Sequence, residues 1–173
     1  PPQYMRKALY LNTGTDRFME VAYLTGLAKT DWTWTVKVGD LDNDGFEDVY
    51  FTNGMSRDFF NGDLKERMQQ IASKDGSYSL KVLEMWERER PYRLNNQVYR
   101  NLGNLQFEDL SSRWGLDHFG VSTGSAMGDL DGDGDLDLVV NGFEEPILVY
   151  RNDVSTGNPL RIKLKGRASN SGG

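Results

Sequence analysis

The sequence predicts a mainly β fold: a partial β-propeller of about two to three four-stranded blades with a helical insertion. Three observations predict it. Two acidic loops of identical spacing lie 89 residues apart. Short strand-like strings recur around them at a constant offset. One interval between recurrences carries roughly 38 additional residues with helical patterning.

The repeat comes first. Shifting the chain by 89 places Tyr10 on Tyr99, Asn12 on Asn101, Gly14 on Gly103, Phe18 on Phe107, Leu27 on Leu116 and Gly39–Asp42 on Gly128–Asp131, without a gap. The string appears a third time, as Leu9–Asn12, Val98–Asn101 and Val149–Asn152, the last two 51 residues apart. Val98–Arg100 and Phe107–Leu110 flank Asn101-Leu102-Gly103-Asn104, a hairpin-type turn. Asp48–Phe51 and Asp137–Val140 are β-branched or aromatic and end at Asn53-Gly54 and Asn141-Gly142, which favour turns. Several short strands per ~50 residues match one four-stranded propeller blade. The resulting division is a first blade unit over 1–55, an insert over 56–96, a second unit over 97–157 and a C-terminal segment over 158–173.

The insert breaks the strand pattern. Asp63 followed by Glu66 has capping-box spacing, and Leu64, Met68 and Ile71 share one helical face, with Asp75-Gly76 as a stop. Leu80, Leu83 and Trp86 suggest a second helix ended by Pro91. The expectation is a helical excursion from the edge of a blade, either a packing decoration or a ligand-contacting element.

Composition narrows the function. At 38% hydrophobic and 12% aromatic residues, the 173-residue chain can bury a core, which excludes wholesale disorder. It has no Cys, so disulfides, thiolate metal sites and Cys nucleophiles are excluded. Its single His, His118, excludes zinc sites that need two imidazoles. No apolar run approaches the ~18 residues of a membrane span. The net charge of −6 is concentrated: windows 40–48 and 129–137 hold ten acids and no base, leaving the remainder at +4. No basic stripe with interleaved aromatics is present, so nucleic acid is not expected as a partner.

The two windows fit D-x-D-x-D-G-x-x-D: Asp40, Asp42, Asp44, Gly45, Asp48 and Asp129, Asp131, Asp133, Gly134, Asp137. Five acids within nine residues repel one another unless a cation joins them. Alternating carboxylates let a short loop wrap a hard cation, and the glycine allows the sharp turn. Ca²⁺ is favoured over Mg²⁺, which demands stricter octahedral geometry. An EF-hand would need a glutamate at position twelve, where Phe51 and Val140 stand. Asp and Gly also build metal-free Asx turns, but two loops of one spacing in one strand context weigh against that reading.

The string G-D-x-D-x-D-G-x-x-D with h-Y-x-N-x-G upstream resembles the FG-GAP/VCBS repeats of integrin α-subunit-type β-propellers. It looks most like the cartilage acidic protein-like group, in which an ASPIC/UnbV domain follows the propeller, and Asn158–Gly166 with Ser169-Asn170 resembles that domain's opening. The resemblance covers residues 4–54 and 95–153. It implies Ca²⁺ in each loop: one ion on Asp40, Asp42, Asp44, Asp48 and the Phe46 carbonyl, the other on Asp129, Asp131, Asp133, Asp137 and the Asp135 carbonyl. Glu47 and the Asp135 side chain would then point outward. The resemblance also implies structural ions, facing away from the ligand-binding surface, in an extracellular, cell-surface or periplasmic protein.

At about 51 residues per blade the chain holds about 2.6 blades, fewer than the four to eight of a closed ring. A fragment, or a chain completed by other copies, is therefore expected, and the opening Pro1-Pro2 is read as a mature form or excerpt. The leading expectation is a non-catalytic, calcium-stabilised binding or adhesion module for a protein or carbohydrate ligand. The alternatives are a segment of a polysaccharide-active enzyme and a self-assembling structural protein. For the enzyme, His118 reads as a loop residue, and Glu144 and Glu145 as turn residues pointing to opposite sides. Trp32-Thr33-Trp34 reads as blade packing and is the best aromatic candidate for sugar contact.

Overall fold

The computed structural model describes residues 6–58, 60–75 and 79–153. The expected opening of a following domain at 158–173 lies outside them. Among the described residues the chain is mainly β, with two helices. The strands are β1 (Tyr10–Asn12), β2 (Phe18–Glu20), β3 (Thr33–Gly39), β4 (Asp48–Asn53), β5 (Leu94–Asn95), β6 (Gln97–Asn101), β7 (Phe107–Asp109), β8 (Phe119–Gly120), β9 (Ser122–Gly128), β10 (Asp137–Gly142) and β11 (Leu148–Tyr150). The helices are α1 (Gly62–Asp75) and α2 (Leu80–Glu87).

Every pairing is antiparallel: a β1-β2 hairpin, a four-stranded sheet β3-β4-β6-β7, a three-stranded sheet β9-β10-β11 and a small β5-β8 pair. The four-stranded sheet has the strand count of one full blade, and it straddles the insert. Equivalent residues pair equivalently: Gly39 faces Asp48 as Gly128 faces Asp137. Even the irregularities repeat, with a bulge at Trp34 and another at Thr123.

Strand alternation builds the core twice. Leu27, Val49 and Phe51 pack with Leu9, Tyr99 and Phe107 between the first hairpin and the full blade. Leu116, Leu138 and Val140 pack with Val98, Tyr50, Leu41 and Tyr150 between the full blade and the next sheet. Adjacent residues of β4 point to opposite faces, so Val49 and Tyr50 enter different clusters, and the strand is buried throughout.

The insert departs from expectation in two ways. It leaves between β4 and β6, the two central strands of the blade, rather than from an edge. Its ends are stitched by reciprocal backbone bonds of 2.9 Å between Met55 and Tyr92. α1 is capped by Asn61, whose Oδ1 accepts the Leu64 N–H at 3.1 Å, and not by Asp63, which lies inside the first turn. In α2 the buried apolar residue is Val82, whereas Leu80 and Leu83 are exposed.

Candidate metal centre

Each acidic loop closes a turn between neighbouring strands, 40–47 between β3 and β4 and 129–136 between β9 and β10. The backbone must turn sharply, and positive φ falls at the same two positions in both: Asn43 (55°) and Gly45 (92°), Gly132 (84°) and Gly134 (101°). Asn tolerates this region, and glycine adopts it freely.

The first acid of each loop organises the turn. Asp40 accepts the N–H groups of Asp44 and Gly45, at 3.0 and 2.9 Å, and Asp129 accepts those of Gly132 and Gly134, at 2.7 and 3.1 Å. The ninth-position acid ties the loop to its surroundings. Asp48 accepts Leu41 N–H at 3.0 Å and Asn101 N–H at 2.8 Å, and Asp137 accepts Leu130 and Asn152 N–H, both at 2.8 Å. The asparagines belong to the next strand string, so each loop is fastened to the third strand of its own sheet.

Side chains of Asp40, Asp42 and Asp48 bring one oxygen each within 4.8 Å of one another, as do Asp129, Asp131 and Asp137. Asp44 and Asp133, expected as ligands, lie outside these triads. Each instead accepts a backbone N–H two residues on, Phe46 at 2.9 Å and Asp135 at 3.0 Å. The Phe46 ring is exposed and lies over Gly103, where a Cβ would stand 3.2 Å from it. Glu47 points outward as expected. Asp135 does not: it is buried and accepts the Asn43 amide of the other loop at 2.7 Å. Asn152 likewise reaches across to the Leu41 carbonyl at 2.6 Å. The loops are thus neighbours at one junction.

Burial pushes the Asp48 carboxyl up to about 6, with Asp42 and Asp44 adding like charge against the two N–H donors. Burial also raises Asp42, helped by Asp44 and partly offset by Arg100. Carboxylates that resist ionisation, aimed at one another from a short loop, are a donor set that a hard divalent cation fits.

Outside the loops, the structure joins residues that adjacency in sequence kept apart. His118 Nε2 lies 3.0 Å from Glu145 Oε2, and Arg93 Nη2 lies 2.9 Å from Glu145 Oε1. The pair sits on Gly120, where a Cβ would approach both within 2.5 Å. Glu144 turns instead to Arg57 at 3.5 Å. Both oxygens of Glu145 are engaged, so the cluster ties the strand leaving the insert to the β10–β11 turn. Trp32, Trp34 and Phe60 meet edge to face at the root of the insert, with centroids 6.4 and 5.5 Å apart.

Sequence reasoning missed Asn43, Arg100, Asn101 and Asn152 as parts of the site. The signal was present: the Tyr-Arg-Asn string at 99–101 recurs at 150–152, but it was read only as a strand.

A sequence profile of the FG-GAP-like repeat matches residues 3–51 and 90–140, more than half of the chain. No curated protein matches it. Among the described residues, no helix is long and apolar enough to cross a membrane.

Proposed function

The chain belongs to the FG-GAP-like repeat family, and from that premise we propose that it is a calcium-stabilised binding module of propeller-type blades, non-catalytic and extracellular, on the cell surface or in the periplasm. The observation that carries this is the pair of aspartate triads, each at the same strand junction, each with its oxygens within 4.8 Å. Asp40, Asp42 and Asp48 would hold one ion and Asp129, Asp131 and Asp137 the other. Asp44, Asp133 and the carbonyls of Phe46 and Asp135 would complete the shells after small side-chain adjustments. A bound cation supplies charge neutralisation. The residues of the chain supply the shape, through the N–H bonds to Asp40, Asp129, Asp48 and Asp137. An extracellular setting suits loops of this kind, because such modules bind Ca²⁺ at about 10⁻⁴–10⁻³ M.

The partner surface lies elsewhere. On β3, Val36 and Val38 are 46% and 60% exposed and Trp34 is 48% exposed. Their repeat equivalents Ser125 and Met127 face the full blade, Met127 packing into its core cluster. The β3 row therefore has the shape of a blade-stacking face, and another blade of the same kind fits it, from the rest of a propeller or from a second copy. On the C-terminal pattern, 158–173, we place the chain in the ASPIC/UnbV-containing group. Calorimetric titration with CaCl2 tests the proposal. Saturable uptake is expected, reduced by Asp42→Asn and by Asp131→Asn. No uptake, or uptake that neither variant alters, contradicts it.

A further inference from the structure

The two acidic loops repeat in sequence, yet their arginines do different things. Arg100 and Arg151 hold the same place in the Tyr-Arg-Asn string, beside the asparagine that fastens each loop. Arg100 forks onto the first loop, with Nε 2.7 Å from Asp42 Oδ2 and Nη2 2.8 Å from Asp44 Oδ2. The carboxylates it meets are mostly buried, with side chains 4% and 19% exposed. Arg151 lies instead against Asp153, at 2.9 and 3.1 Å, in an exposed pair.

We propose that Arg100 is a built-in counter-cation of the first loop, which makes the two loops unequal cation sites. The inference rests on reading the loops as cation sites and adds what regulates one of them. A guanidinium presents a planar fork of donors that matches two carboxylate oxygens at once. In the first loop Nη2 donates to Asp44, and Nε stands against Asp42, a member of the triad, as an ion pair that offsets part of its charge. A divalent ion entering there must displace the fork or sit beside a like charge. In the second loop the equivalent arginine pairs directly with Asp153 and feels Asp131 and Asp133 only through space, so an ion meets less opposition. The first loop therefore carries one compensating charge of its own and depends less on calcium for its form. The second loop is the calcium-responsive one.

The test is calorimetric titration of the whole chain with CaCl2 at fixed ionic strength. Wild type is expected to show two sites at least tenfold apart, the tighter removed by Asp131→Asn and the weaker by Asp42→Asn. Arg100→Gln is expected to tighten the weaker site tenfold or more. Arg100→Lys, whose single ammonium cannot fork, is expected to tighten it by less. Circular dichroism checks folding of each variant, and if Arg100→Gln does not fold, Arg100→Lys decides by the same direction. Equal sites in wild type, a tighter first loop, or arginine variants that leave the weaker site unchanged or weaker would overturn the inference while leaving the cation reading standing. No uptake at either loop would sink the cation reading itself, and this inference with it.

Discussion

Asp48 shows how one side chain carries two opposed roles. It is fully buried, and both of its oxygens accept backbone N–H groups, which hold Leu41 and Asn101 in place. The same burial raises its pKa to about 6, above the ~3.9 of an unfolded chain. The folded protein therefore holds this proton more tightly than the unfolded one. Its contribution to stability is fully present below about pH 4 and is lost as pH rises to about 6. In metal-free buffer, the urea stability of wild type relative to Asp48→Asn should fall between those pH values and then level off. A flat or rising difference would show that the carboxyl ionises without penalty. The spacing of the acids was legible because a tight turn with carboxylates at fixed positions constrains residue types one by one. Asp135 was not, because its inward turn depends on Asn43, 92 residues away, which no local pattern encodes.

At the scale of elements, β1, β4, β6, β7, β10 and β11 could be read from recurring strings, β-branched and aromatic residues and turn residues, whereas β3 and β9, which lead into the acidic loops, were not. The insert was harder. Its helices were legible from apolar spacing, yet their placement depends on tertiary contacts. Leu80, Leu83 and Trp86 suggested a second helix, and α2 forms there, but the residue it buries is Val82. The Asp63 capping box lost to Asn61, two residues earlier, because the helix begins one residue before Asp63. The stitched ends give the insert a clean point of removal. Replacing residues 56–91 by Asn-Gly would close β4 onto Tyr92 through a two-residue hairpin. The shortened chain should lose helical circular dichroism and keep its calcium uptake, with stability within about 2 kcal/mol of wild type, the range of ordinary surface changes and lost caps. Loss of calcium uptake on excision would mean that the insert supports the blade rather than decorating it.

At the scale of the whole molecule, the fold is a stack of repeated junctions. Leu27, Val49 and Phe51 recur as Leu116, Leu138 and Val140, and the loops at one end of the stack are joined by Asn43 and Asn152. Stacked repeats derive stability from neighbour interfaces, so the β3 face with Val36 and Val38 is where a further unit would add most. The acidic loops concentrate ten carboxylates at this end, and an ion in each would turn mutual repulsion into a shared anchor. The central claim, that these loops are calcium sites built into the stack, is tested most directly by thermal unfolding with Ca²⁺, with Mg²⁺ and with neither. An ion binding only the folded chain at ~100 times its Kd adds about 2.7 kcal/mol per site. In a domain of this size that is roughly 5–10 °C per site. The account predicts a rise of this order with Ca²⁺ and a smaller one with Mg²⁺. An unchanged midpoint in millimolar Ca²⁺ would contradict it and leave the loops as metal-free turns.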